Sequence, residues 1–172
     1  DIAGTGITYE YKNYDQKYYI PTLAGAPIGF REGSSTLASR NNHAINWGDE
    51  VGHQIEFNRV IGDFQWMSNI SFAYKHKIEG YEPVSLSEIL IMDNQDNIYY
   101  QYPFRQLYSE ISGYTLNDKL YIKLGIDQFD EFKGYDNPEH LSAITYPAMF
   151  TFSLSSGNSI TSYLERQNRN EL

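Results

Sequence analysis

The chain has 172 residues, 41% hydrophobic and 20% charged, with a mean hydropathy of −0.54 and a formal net charge of −9. No run approaches the roughly 20 apolar residues of a spanning helix, which excludes a polytopic helical membrane protein but not a membrane β-barrel, whose alternating strands keep mean hydropathy low. The acidic balance opposes binding to nucleic-acid phosphates, and the absence of cysteine excludes disulfides, thiolate metal sites and cysteine nucleophiles.

Sixteen Tyr, 9 Phe and 2 Trp favour strands over a helical bundle and oppose disorder. The opening Asp1-Ile2-Ala3-Gly4 has neither a basic start nor an apolar run, so no signal peptide is read there. Such a leader is expected to have been removed, or the residues to belong to a longer chain.

A period of two predicts the strands in order. Ala3–Lys12 sets Ile7, Tyr9 and Tyr11 against Thr8, Glu10 and Lys12. Val51–Val60 sets Ile55 and Phe57 against Gln54, Glu56 and Asn58. Phe64–His76 carries Phe64, Trp66, Ile70, Phe72 and Tyr74 on one face, with Ser68 as a polar break and Lys75 on the other face. Phe104–Tyr114 sets Leu107 and Ile111 against Gln106, Tyr108, Glu110 and Ser112. Lys119–Gln128 sets Leu120, Ile122, Leu124 and Ile126 against Tyr121, Lys123, Gly125 and Asp127. Ser142–Leu154 aligns Ile144, Tyr146, Ala148, Phe150, Phe152 and Leu154, with Pro147 as a blemish that removes a ladder hydrogen bond. Ser159–Gln167 sets Ile160 and Leu164 against Thr161, Tyr163, Glu165 and Gln167.

Strands of about 9–13 residues exceed the usual 5–6 of soluble sheets and match tilted membrane strands. Tight turns at Ile61-Gly62-Asp63, Thr115–Asp118 and Ser155–Asn158 alternate with long connections at about residues 13–50, 77–103 and 129–141. Short turns on one side and long loops on the other are the pattern of an outer-membrane barrel. The expected fold is therefore all-β: an antiparallel up-and-down transmembrane β-barrel, or a segment of one. Residues 1–172 are expected to form a single segment, incomplete at one or both ends, because an odd strand count leaves a returning strand missing. A further strand near Ser87–Met92 is the alternative to that last expectation.

The apolar parity assigns the membrane-facing set as Phe64, Trp66, Ile70, Phe72, Tyr74, Leu120, Ile122, Leu124, Ile126, Ile144, Tyr146, Phe150 and Phe152. The polar parity assigns the lumen-facing set as Glu10, Lys12, Glu56, Lys75, Glu110, Lys123, Asp127 and Glu165. Tyrosines gather where strands meet loops, at Tyr9, Tyr11, Tyr14, Tyr18 and Tyr19 and again at Tyr99, Tyr100 and Tyr102. Such rings suit an aromatic girdle at headgroup level. They equally suit a sugar-stacking platform, so a soluble all-β carbohydrate-binding module is the alternative reading.

No catalytic constellation is evident, and a hydrolase is the least supported class. His43, His53, His76 and His140 lack metal-ligand spacing. The acidic runs Asp127–Glu131, Asp136–Glu139 and Asp93–Asn97 lack the EF-hand pattern and read as solvated loop acids. No cofactor is expected. Asn69-Ile70-Ser71 matches a glycosylation acceptor by accident, in mid-strand.

The segments Tyr11-Lys12-Asn13-Tyr14, Pro21-Thr22-Leu23, Arg40–His43, Gly48–Glu56 and Tyr163–Gln167 together resemble the uncharacterised outer-membrane β-barrel proteins of Bacteroidota. The resemblance implies an outer-membrane location, a longer chain, the lipid bilayer as partner, and a role in transport or with other envelope proteins. It supplies no catalytic or binding residues.

Overall fold

The computed structural model describes residues 4–14, 37–38, 43, 50–75, 103–133, 139–155 and 157–171. They form seven strands: β1 (Thr5–Tyr14), β2 (Glu50–Ile61), β3 (Phe64–Tyr74), β4 (Phe104–Thr115), β5 (Leu120–Lys133), β6 (Glu139–Ser153) and β7 (Ser159–Glu171). All pair antiparallel with their sequence neighbours in one sheet of order β1-β2-β3-β4-β5-β6-β7. The sheet is an open up-and-down meander. Of the two forms expected, a barrel or a segment of one, the closed barrel is not formed by these seven strands, and β1 and β7 are the edges of the sheet.

The three tight connections lie at one end of the sheet. Gly62 takes a positive φ of 60° in the two-residue turn between Ile61 and Phe64, as hairpin geometry requires. Leu116, Asn117 and Asp118 all have positive φ in the second turn, and Gly157 does in the third. Gly113 packs beneath the first turn. A Cβ there would lie 2.4 Å from the Asp63 carbonyl oxygen, so a side chain would push that hairpin off β4.

Pro147 leaves a gap rather than a break. The β5–β6 ladder passes from Leu124–Ala148 to Asp127–Thr145, skipping the intervening pairs, because proline has no N–H to donate. The strand continues on both sides of it.

The predicted strands are all present, with shifted ends. The largest shift is in β5, which runs on to Lys133. Asp127, Asp130 and Glu131 are therefore strand residues, all buried, and not solvated loop acids. Period-two alternation continues through Phe129 and Phe132, which supply apolar anchors on the inner and outer faces respectively. The Asp93–Asn97 run, Ser87–Met92, His76, residues 136–138 and the tyrosines at 18, 19, 99, 100 and 102 lie outside the described residues.

The core sits on the concave face. Ala73, Phe104, Phe129, Leu141 and Ala143 cluster there toward the long-connection end. One contact set bears on curvature. His43 bonds Glu50 of β2 and Glu131 of β5, strands three places apart. A flat sheet would hold those strands about 14 Å apart, and one imidazole bridging both fits a sheet that curls toward this face.

Candidate functional site

Register sorts the side chains into two faces. The outer face carries Phe64, Trp66, Ile70 and Tyr74 from β3, Leu107 and Ile111 from β4, and Leu120, Ile122, Leu124 and Ile126 from β5. Ile144, Tyr146, Phe150 and Phe152 from β6 complete it. These are half-buried or exposed, with Leu124 45% accessible. Phe72 has the same parity but is buried, with the His53 ring stacked on it at 4.7 Å. What covers Phe72 comes from the neighbouring strand and leaves no alternation signal.

The apolar band crosses the rows obliquely. The row through Ile70 continues to Leu107, Gln128 and Ile144 and ends at Asn168. The apolar positions of β7, Ile160 and Leu164, lie nearer the tight turns than Asn168. A band of constant height produces this offset when strands tilt. On β3 it runs from Phe64 to Phe72, about 20 Å tall at a tilt near 40°.

Aromatic rings lie at both margins of the band. Toward the long connections, Tyr9, Tyr11, Phe72 and Tyr74 surround His53, with the Tyr9 hydroxyl 2.8 Å from its Nδ1. Toward the tight turns, Phe57 meets Trp66 edge-on at 4.9 Å. The polar break at Ser68 is closed locally. Its hydroxyl lies 2.8 Å from that of Ser109 on the neighbouring strand, and Trp66 Nε1 donates to Ser109 Oγ at 3.0 Å. Above the band, Arg105 donates to Asp130 at 2.7 Å, Gln128 donates to the same carboxylate, and His140 stacks on Phe132.

At mid-sheet the inner face is polar and buried, between the apolar cluster at the long-connection end and the exposed edge strand β1. One row reads Thr8, Glu56, Asn69, Tyr108, Asp127, Thr145 and Gln167 across all seven strands. Asn69, Asp127 and Thr145 have no accessible surface, and Tyr108 is 1% accessible. Gln106 donates to Asp127 at 2.6 Å, Ser71 to Asn69 at 2.7 Å and Gln167 to Thr145 at 2.9 Å. Glu110 Oε2 accepts from the Tyr108 hydroxyl at 2.6 Å and from Lys123 Nζ at 2.7 Å. The matching is incomplete: Asn69 Nδ2 and Asp127 Oδ2 are buried with no hydrogen-bond partner among the described residues, each at a desolvation cost.

Of the residues read as lumen-facing, Glu110, Lys123, Asp127 and Glu165 are brought into this lining. Glu56 is half-buried, and Asn58 donates to it. Glu10 is exposed on edge strand β1, and Lys75 follows the end of β3, half-buried. Lys12 has inner parity on β1, and its side chain lies outside the described residues.

Two described pieces of the connection between β1 and β2 reach the inner face. Leu37 N–H donates to Glu165 Oε2 at 2.9 Å, and Gln167 Nε2 donates back to the Leu37 carbonyl at 3.0 Å. His43 donates from Nδ1 to Glu131 at 2.7 Å and from Nε2 to Glu50 at 3.1 Å, with its ring stacked on Phe104 at 4.3 Å. Burial alone would lower the His43 pKa. The hydrogen bonds and charges of Glu131 and Glu50 outweigh it and raise the value to about 9. The sequence places His43 in the long first connection, without metal-ligand spacing. Its partners are 7 and 88 residues away, so no local spacing could reveal them.

Among the described residues, no group of three or more His, Asp or Glu could hold a metal ion. No helix among them is long and apolar enough to cross a membrane, which does not bear on crossing by strands. Comparison with protein-family models, curated proteins and solved structures gives no match.

Proposed function

We propose that residues 1–172 form part of the wall of an outer-membrane β-barrel. It would act as a channel, uptake component or subunit of an envelope complex, without enzymatic chemistry, and with the lipid bilayer as its first partner. One observation carries the proposal: the sheet is inverted relative to a soluble one. Its outer face exposes a band of Ile, Leu and aromatic residues, while at mid-strand its inner face buries Asn69, Glu110, Asp127 and Thr145, below an apolar cluster at the long-connection end. In water such a band would be an unusually large apolar patch; in a bilayer it is solvated by acyl chains. The local bonding of Ser68, Ser109 and Trp66 suits that setting, where no water is present to satisfy them.

The Tyr9, Tyr11, Phe72 and Tyr74 rings around His53 also support the second reading, a carbohydrate-binding module, because rings can stack on sugars. Membrane extraction separates the two. The barrel reading expects the protein to stay with membranes through alkaline washing and to be monodisperse only in detergent. A folded, monodisperse protein in plain buffer that binds glycans would overturn it.

A further inference from the structure

The aromatic margin near the long connections is built as a platform. Tyr11, His53 and Phe72 share one row on the outer face, and Tyr9 stands in the next row toward the tight turns. The His53 ring stacks on Phe72 at 4.7 Å and 17°, and Phe72 is buried. That contact fixes the imidazole, and the imidazole fixes the tyrosines. The Tyr9 hydroxyl lies 2.8 Å from Nδ1, and the Tyr11 ring packs against the imidazole at 5.1 Å. Tyr9 and Tyr11 still stay 59% and 51% exposed, so ring surface is open on rings whose orientation is already set. Groups pre-set in this way lose little freedom when a ligand arrives.

The surroundings give the ligand its chemistry. On one side lies hydrocarbon: the row through Tyr9 continues as Ile55, Ile70 and Leu107. Alongside, charge cancels: the row through Tyr11 continues past Phe72 as Arg105 and Asp130, an ion pair at 2.7 Å, and Gln128 donates to the same carboxylate. Ring faces, phenol hydroxyls and neutralised charge suit an uncharged, hydroxyl-rich group better than a phosphate. The C–H face of a pyranose packs on the electron-rich face of a tyrosine ring, with the sugar hydroxyls left for polar groups at the rim. The geometry points to a platform on which Tyr9 and Tyr11 bind the pyranose headgroup of a membrane glycolipid, with its acyl chains along the apolar band. The source of the sugar rests on the barrel reading, in which this margin lies at headgroup level.

The test places the protein in nanodiscs holding equal amounts of phosphatidylcholine and monoglucosyl diacylglycerol. Lipids retained on release are counted by native mass spectrometry, and the glucolipid should be retained over phosphatidylcholine. Tyr11→Leu keeps bulk but removes the ring, and should reduce that preference about two- to tenfold, as expected for one aromatic contact. Tyr11→Phe should keep it. Tyr146→Ala removes an exposed ring within the band and should leave the preference unchanged. If Tyr11→Leu does not fold, Tyr9→Leu is read in its place with the same expectation. Equal retention of the two lipids, or the same loss in Tyr146→Ala, overturns the proposal. Excess methyl glucoside separates the sources of sugar. Displacement of the glucolipid supports the pyranose as the group recognised; methyl glucoside binding without any glucolipid preference overturns the lipid source. A chain that enters no nanodisc fails the barrel reading itself. Methyl glucoside is then titrated in buffer, where binding weakened by Tyr11→Leu upholds the platform without the lipid, and no binding overturns it too.

Discussion

Asn69 and Ile70 are neighbours on β3, yet Asn69 has no accessible surface while Ile70 is 40% exposed. The contrast repeats along the sheet, with Tyr108 against Leu107 and Asp127 against Ile126. A soluble sheet would sort these pairs the other way. Polarity therefore does not decide the inside of this molecule. The inner face is held partly by side-chain hydrogen bonds within and between strands, such as Ser71 with Asn69 and Gln106 with Asp127, while the outer face presents hydrocarbon.

The comparison breaks most sharply at Glu110. Glu110→Ala takes away the acceptor shared by Tyr108 and Lys123. It should cost about 3–5 kcal/mol, the usual penalty for uncovering a buried charge, measured as a lower denaturant midpoint in detergent.

The outer face gives the next largest effect, and there the solvent decides. Leu124→Arg should cost about 2–4 kcal/mol if that position lies at a bilayer midplane, but only about 0.5 kcal/mol if it faces water. Unfolding in lipid vesicles measures which.

A third effect concerns the inner face alone. His43 binds its proton more tightly when folded, at about pH 9 against an ordinary 6.5. The stability it contributes is full below pH 6.5, falls as pH rises toward 9 and is absent above that. In His43→Gln, this slope should vanish from a stability-versus-pH series. The smallest change expected is Ser109→Ala, which removes the partner of Ser68 and Trp66 at about 0.6 kcal/mol.

Alternation made the two faces legible before any coordinates, because register carries parity unchanged from strand to strand. It could not say which face is covered. Phe72 and Ile70 share parity, but the ring of His53 covers only Phe72. It also lost β5 beyond Gln128, since Asp130 and Glu131 look like loop acids until Arg105 and His43 are placed beside them. The odd strand count was legible, and with it the expectation of an unclosed segment; the contact of His43 with Glu131 was not, because it joins residues far apart in sequence and leaves no local pattern.

The neighbour-only strand order also bears on how the chain assembles. β2–β3, β4–β5 and β6–β7 are each joined by a tight turn. Such hairpins can zip within microseconds, before the long connections between them are drawn in. β1 has no partner across a tight turn and has to cross the longest connection to find β2. It should therefore be the last strand whose amides gain protection in pulsed hydrogen exchange during refolding. The chain is kinetically three hairpins and a straggler, although at equilibrium it is one sheet.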